Sequence, residues 1–418
     1  QGIDMASRRD VVITGIGVIS PIGLNVADFL ISLETNTSGI KLWHSPSLEK
    51  QLPAGVIERD FSKEFTKLEL PYLDRCSQLA LLAAQQATRD AGLEQFASYG
   101  QRAGLYYGSV AGGVATEHDW VKQFYVEGKQ SSRPYTMMAC MLNAAPGQLS
   151  IRHQILGPVM THSSACTSSG AAIGDAQRAI RDGYLDVALV GGAEAALVPA
   201  FMAAWSGLRA LAEVDLLDVT RSSKPFSKNR TGLVLSEGAV FFVLESRENA
   251  IKRGVKAYCR LTGYGIASDG YHIGSPASGG QVTALRAALS DAELTSGEIG
   301  YLNAHATATV GGDPIETRSI NDVFDRVPVS STKGIHGHLL GAASAIELAV
   351  AIAAINRSFL PATAHLDEID PACDLNHVAN TPIMQQPIKH ALSLSAGFGG
   401  TNVALIVSVE SGSSRKPL

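Results

Sequence analysis

The chain has 418 residues, 45% of them apolar, enough to bury a sizeable core in two or three domains or in one large duplicated unit. Its formal net charge of −5, with no basic block, excludes a general nucleic-acid binder but leaves room for a local basic patch facing an acidic protein. Five scattered cysteines without CxxC spacing (Cys76, Cys140, Cys166, Cys259 and Cys373) exclude a disulfide framework and a zinc knuckle.

No apolar run reaches the roughly 18 residues of a membrane span. No signal peptide is expected before the first strand, residues 1–4 ahead of Met5 read as a cloning scar, and a reducing, cytoplasmic setting is the expectation. In chain order, VVITGIGVI at 11–19 predicts a buried strand ending in a turn at 20–23, then a capped helix over 25–33. An Ala- and Leu-rich helix is predicted over 74–91, closed by Gly92, and a strand over 103–107 that runs into a glycine loop at 108–113. A short strand over 158–163 leads to Cys166, and 168–180 reads as a helix whose early turns carry Ser169, Gly170, Ala171, Ala172 and Gly174. Continuous apolar stretches at 185–190 and 241–244 predict strands in a sheet covered on both faces.

The pattern then restarts. CRLTGYGIA at 259–267 echoes residues 11–19, and a helix over 281–292, a strand over 301–304 and a small-residue helix after Gly337 follow in similar order. Two copies of one βαβ-rich unit are expected, 5–254 and 255–411, joined near Gly254. Alternating strands and helices make the fold class α/β. The last strand is predicted over 403–409, with 412–418 a frayed tail. Gly15 and Gly17 lack the third glycine of a dinucleotide fingerprint and are read as turn residues.

Cys166 sits at a strand-to-helix elbow, where the helix dipole and free N–H groups favour a thiolate. The plainer use of a buried cysteine is as a small hydrophobe. Three more polar islands lie in apolar surroundings: Asn303 to Thr309 with His305, then Thr332 to Glu347 with Lys333, His336 and His338, and the glycine loop SAGFGGTN at 395–402. In a duplicated α/β unit these loops fall at equivalent strand ends and converge on one cleft. His44, His118, His153, His272, His365, His377 and His390 are assigned to core or surface, and alternation turns His162 away from Cys166. His336, His338, His305 and Cys166 would offer four metal ligands, but no carboxylate-rich second shell is evident and Lys333 would repel a cation, so no metal is expected. Lys333 and Glu347 alone read equally as a structural ion pair.

These islands resemble, in combination, the β-ketoacyl-acyl-carrier-protein synthases of the elongating Cys-His-His type, on the thiolase fold. The resemblance spans 11–409 and rests on SACTS around Cys166, NAH ending at His305, Lys333 followed by GHLLGAA from Gly337, and GFGGTN from Gly397. KPF at 224–226 followed by RTG at 230–232 and Glu237 is a weaker echo. It implies a duplicated thiolase-like αβαβα layered fold, with the nucleophile in the first half and both catalytic histidines in the second. It implies a decarboxylating Claisen condensation in fatty-acid or polyketide elongation. Cys166 would take an acyl group from a carrier-protein phosphopantetheine arm, and malonyl-carrier protein would lose carbon dioxide and attack as the enolate. His305 and His338 would hold the enolate oxygen, each donor being worth about 3 kcal/mol. The N–H groups of Cys166 and Phe398 would form the oxyanion hole, Phe398 the gate, and Lys333 and Glu347 would order the histidines. Thr307 and Thr309 match pantetheine-binding positions. No cofactor is implied beyond the 4'-phosphopantetheine of the substrate's carrier protein.

The chain departs from the family pattern at Ala306 and Ser344, which replace glycines, at His336, which replaces a small or hydroxyl residue, and at Ala396, where a second aromatic is common. Ala111 stands where a larger aliphatic residue narrows the acyl pocket, so long, stiff or unsaturated chains are expected to be accepted. Carrier-protein contacts are thin: Arg209, Lys129 and Arg133 are the candidates. Four rival readings weaken on residues. A non-catalytic chain-length-factor-like subunit lacks the cysteine nucleophile, a thiolase needs a second cysteine where Phe398 stands, and a starter-type synthase has asparagine at His338. A cysteine hydrolase explains neither Lys333 with His338 nor the duplication. A homodimer or a heterodimer with a related subunit is expected, with no nucleic-acid or membrane partner.

Overall fold

In the computed structural model the described residues are 8–410, 412 and 415–418; residues 1–4 lie outside them. The strands of the first half are β1 (Val11–Ile19), the hairpin β2 (Ile40–Trp43) and β3 (Leu52–Gly55), β4 (Ala103–Gly108), β5 (Val159–His162), β6 (Val187–Glu194) and β7 (Gly238–Ser246). Those of the second are β8 (Cys259–Ser268), β9 (Tyr301–Asn303), β10 (Pro328–Ser330), β11 (Asn376–His377), β12 (His390–Ala396) and β13 (Thr401–Val409). Outside the hairpin they join in the order β11-β10-β9-β12-β13-β8-β1-β7-β6-β4-β5.

Outward from the β1–β8 seam the two sides match. The run β1-β7-β6-β4-β5 recurs as β8-β13-β12-β9-β10, and on both sides the first two junctions are antiparallel and the next two parallel. The seam is slight, pairing Val12 with Arg260 and Ile13 with Cys259. The echo of residues 11–19 in 259–267 therefore lies on equivalent strands. The chain passes between the halves through the helix Arg247–Arg253, which ends at Gly254 in the left-handed conformation (φ 70°).

Strand composition dictates the layers. In β6, Ala188 and Val190 join one core and Val187 and Leu189 another, so both faces are covered, as continuous apolar strands require. The same split occurs in β13, where Val403, Leu405 and Val407 face the central core and Ala404 and Ile406 the outer one. The helix Arg75–Asp90 covers the outer face of the first sheet and Ser278–Asp291 that of the second. Between the sheets lie Ser168–Arg181 and Ala343–Arg357, giving the αβαβα layering. Small residues make this centre possible: a Cβ on Gly170 would come within 2.9 Å of Ser344, and one on Gly174 within 2.2 Å of the Tyr264 ring.

Three expectations need correction. Gly15 and Gly17 are not turn residues; they lie inside β1, where a Cβ would meet the Ala87 and Ala83 carbonyl oxygens at 2.1 and 1.9 Å. Gly263 and Gly265 seat the second outer helix in the same way. The end of the chain is not frayed throughout, since Lys416 Nζ bonds Asp90 at 2.7 Å over the Tyr258 ring and Arg415 caps the carbonyls of Ile355 and Asn356. The segment Leu340–Arg357 does have the length and hydropathy of a membrane span, but 89% of it is buried between the sheets. It is a core helix.

Candidate active site

The nucleophile candidate is placed by a strained elbow. Ala165 holds φ 54° ahead of Cys166, and Thr167 begins the turn into Ser168–Arg181. Ser344 Oγ, from the other central helix, donates to the Cys166 carbonyl at 3.2 Å, and Ser169 Oγ accepts the Ala345 N–H at 3.0 Å. The two halves are thus stitched beside the sulfur.

His338 Nε2 lies 3.0 Å from Cys166 Sγ. The His305 and His338 rings meet edge to face with centroids 5.3 Å apart, and the three ligand atoms all lie within 4.8 Å of one another. Lys333 Nζ is 3.4 Å from His305 Nδ1 and pairs with Glu347, whose other oxygen accepts from Ser395 Oγ at 3.4 Å. An ammonium only donates, so His305 Nδ1 accepts and its Nε2 carries the proton. Both imidazoles are buried beside the Lys333 charge, and burial first, then that charge, holds them well below the usual histidine range, so both are neutral. A tight cluster of one thiol and two imidazoles has the geometry of a metal site, yet the ammonium on His305 opposes a cation there.

The thiolate expected from the helix N-terminus does not describe the resting sulfur. Burial pushes the Cys166 thiol up to about 12, against the opposing pull of Lys333 and of the Phe398 and Cys166 N–H groups. Desolvation outweighs the dipole. The sulfur is a thiol with a neutral imidazole at hand to take its proton.

The glycine loop closes over it. Gly397 approaches so closely that a Cβ would meet the Ser164 carbonyl at 2.8 Å, and Gly399 and Gly400 take φ 88° and 86°. Phe398, 40% exposed, sets its ring 5.7 Å from that of Trp205. A cavity of about 430 Å³ reaches Cys166, His305, His338, Phe398, Thr307 and Thr309. Arg209 lines it too, in the left-handed conformation (φ 53°). Lys129 and Arg133 are exposed on the 126–134 segment and do not line it; Lys129 pairs with Glu127 at 3.1 Å. Ala111 does not line it either, but packs in an apolar cluster with Trp205 and Leu340. Phe398 lines the cavity and its ring meets that of Trp205, a member of that cluster.

Sequence reasoning missed two buried carboxylates that set the loops. Glu316 accepts the N–H groups of His305 and Ala306, one on each oxygen at 2.6 Å, and burial pushes it up to about 8. Glu194 gathers the N–H groups of Val110, Ala111 and Gly341, tying the first half's glycine loop to the turn after His338; burial pushes it up to about 7. The available signal was a lone acid closing or entering an otherwise apolar or small-residue stretch, as in GGAEAA at 191–196.

A duplicated αβαβα fold with cysteine and two histidines at its centre defines a condensing enzyme of the thiolase superfamily. Family models assign residues 8–250 to the N-terminal and 258–367 to the C-terminal domain of β-ketoacyl synthase. The chain belongs to the β-ketoacyl synthase family, and its likeness is to the synthase II type. It is 34% identical to 3-oxoacyl-[acyl-carrier-protein] synthase 2 of Coxiella burnetii, over 96% of this chain and 99% of that protein. It is 36% identical to nodulation protein E of Rhizobium leguminosarum bv. trifolii, over 95% and 98%. Among solved structures, the ishigamide ketosynthase/chain length factor matches with TM-score 0.89 and 30% identity, over 97% of this chain and all of that one. The AntDE:AntF complex, a type II polyketide ketosynthase with its acyl-carrier protein, matches with TM-score 0.86 and 27% identity, over 96% and 100%.

Proposed function

We propose that the chain is a β-ketoacyl-acyl-carrier-protein synthase that extends an acyl group by decarboxylative condensation with malonyl-carrier protein, in fatty-acid or polyketide elongation. The observation that carries the reading is the 3.0 Å contact of His338 Nε2 with Cys166 Sγ, with His305 beside both.

In the loading step Cys166 Sγ attacks the acyl thioester carbonyl while His338 Nε2 takes the thiol proton and returns it to the departing pantetheine sulfur. The tetrahedral oxyanion is received by the N–H groups of Cys166 and Phe398, which already face the sulfur. In the second step the malonyl carboxylate leaves as carbon dioxide, and its bonding pair passes into the thioester enolate. Nε2–H of His305 holds the enolate oxygen, a neutral donor with no counter-charge to displace, while His338 Nε2, having given its proton to the pantetheine thiol, stands unprotonated beside Cys166. The enolate carbon then attacks the acyl-cysteine carbonyl, the new C–C bond forms, and the Cys166 sulfur leaves as a thiolate that takes one proton from water to restore the resting thiol. Atoms and charge balance with no cofactor, and no metal has a part.

The pantetheine arm enters through the cavity, with Thr307 and Thr309 offering hydroxyls (3.1 Å apart) and Arg209 at its wall. An acyl carrier protein is the partner this reading requires, as in the AntDE:AntF complex. A second ketosynthase-like subunit is the other. Strand β5 is an open sheet edge, with Val159 and Met160 exposed, and Phe124, Tyr125, Met137 and Met138, earlier in the chain, are exposed too. Two of the matched structures pair a ketosynthase with a chain length factor. The setting proposed is cytoplasmic.

Intact-mass analysis after mixing with acyl-carrier proteins tests the reading: the chain should gain one acyl group, and Cys166→Ala none. An acyl adduct on the Cys166→Ala variant would overturn the assignment of the nucleophile.

A further inference from the structure

His336 is fully buried, and neither step above uses it. Its ring joins the two loops that carry His305, Lys333 and His338. Nδ1 lies 2.7 Å from the Gly337 carbonyl oxygen, and Nε2 lies 2.9 Å from Thr332 Oγ1. A carbonyl only accepts, so Nδ1 bears the proton, Nε2 is the acceptor, and the Thr332 hydroxyl donates to it. Thr332 Oγ1 in turn accepts from Asn303 Nδ2 at 3.2 Å, and Asn303 Nδ2 also reaches the Tyr301 hydroxyl at 3.0 Å. The donors run one way, from Asn303 through Thr332 and His336 to the Gly337 carbonyl.

Each member sits beside a reactive residue in sequence. Asn303 precedes His305 by two, Thr332 precedes Lys333, and the Gly337 carbonyl belongs to the peptide that carries His338. Gly337 takes φ 70° and ψ −163°, a conformation its own side chain does nothing to fix, so the peptide plane depends on outside partners. The neighbouring groups are held from the far side: Ser236 Oγ donates to the His336 carbonyl, the Ser236 N–H to the His338 carbonyl, and the N–H end of the Gly337–His338 peptide donates to the Val234 carbonyl at 2.7 Å. The Gly337 carbonyl has the His336 ring.

We propose that His336 is a positioning residue: its Nδ1–H, donated to the Gly337 carbonyl, fixes the carbonyl end of the peptide plane whose N–H end Val234 holds, and so aims His338 Nε2 at Cys166 Sγ, while its Nε2 ties that plane to the Asn303–Thr332 brace behind His305 and Lys333. This rests on the reading of Cys166 and His338 as a reacting pair. The arrangement makes two replacements unequal. An asparagine amide reaches about as far as Nδ1 and keeps the donor to Gly337; a glutamine amide reaches about as far as Nε2, and so keeps only the contact to Thr332.

The test is the rate of Cys166 alkylation by iodoacetamide at neutral pH, read by intact mass, which needs no carrier protein. His336→Gln should slow it about 10-fold to 100-fold, the range for losing a group that orients a reactive one, and His336→Asn several-fold less. In the His338→Ala background, His336→Gln should add nothing, because the group it aims is gone. Equal slowing by Asn and Gln, or undiminished slowing in the His338→Ala background, would show a general packing role and overturn the proposal. Melting temperatures of the variants separate misfolding from misplacement. Failure of the wild-type chain to condense acyl and malonyl groups would refute the proposed function while leaving this comparison readable.

Discussion

Lys333 Nζ sits 3.4 Å from His305 Nδ1, and that contact decides which nitrogen of the imidazole faces substrate with a proton. Lys333 also neutralises Glu347, which is fully buried. Lys333→Met therefore has two separable consequences. Loss of the tautomer lock should lower malonyl decarboxylation about 100-fold while acyl loading on Cys166 falls much less. The stranded carboxylate should cost about 3–5 kcal/mol of stability, recovered in large part by adding Glu347→Gln. Thermal unfolding and acetyl-carrier-protein formation are the two readouts; a double variant that regains decarboxylation would contradict the tautomer argument.

The pH dependence of Cys166 follows from its neighbours. The reacting state, thiol beside neutral imidazole, is populated from the lowered titration of His338 up to about 12, where the thiol itself ionises. Alkylation of the wild-type chain should therefore be nearly flat from pH 6.5 to pH 9, estimated as roughly constant because neither group titrates there. In His338→Ala only free thiolate reacts, and the rate should climb about tenfold per pH unit over the same range. A wild-type profile that climbs in parallel with the variant would show that His338 does not take the proton.

Glu316 gives a stability test with a definite sign. Its carboxyl is raised to about 8 in the folded chain, above the ordinary 4.5, so the folded state binds the proton more tightly. That contribution is fully present below pH 4.5, about the unfolded value, and is lost as pH rises through about 8. Glu316→Gln removes this slope, and one amide end now faces a backbone N–H it cannot accept, at a cost of about 1–3 kcal/mol. Denaturant unfolding of both chains at several pH values measures the difference; identical slopes would remove Glu316 from the account.

Much of this was legible in the sequence because it is local or periodic. The strand echo at 11–19 and 259–267 marked the duplication, and the islands around Cys166, His305 and His338 stood out from apolar surroundings. What escaped depends on distant chain. Gly15 and Gly17 read as turn residues because the helix Arg75–Asp90 that lies on them is distant in the chain, and Glu194 and Glu316 act on backbone N–H groups far off or in another loop. Lys416 anchors the tail through Asp90, more than three hundred residues away, which no local composition announces.

The seating of the outer helices makes a third stability prediction. In Gly265→Ala the new methyl would lie 2.0 Å from the Ala284 carbonyl oxygen, so the helix must move. A loss of about 1–3 kcal/mol is expected, the usual cost of overpacking. Chemical denaturation checks it, and an unchanged midpoint would mean that the helix shifts freely.

Ala111 offers a specificity prediction. It packs in the apolar cluster with Trp205, whose ring meets that of Phe398 on the cavity wall, and an acyl chain extending from Cys166 past Phe398 would run there. Ala111→Phe should shorten the longest acyl group loaded by several carbons without slowing transfer of short ones. Competition among acyl-carrier proteins of graded length, read by intact mass, reports the change; an unaltered length profile would place the acyl channel elsewhere.

The most direct test of the condensing reaction is product mass on the carrier protein. With acyl- and malonyl-carrier proteins the wild-type chain should release carbon dioxide and yield β-ketoacyl-carrier protein, longer than the starting acyl group by one C2H2O unit. His305→Ala and His338→Ala should each cut that yield at least about 100-fold. Extended product at wild-type rates from either variant, or no extended product from a wild-type chain that loads acyl groups, would contradict the account.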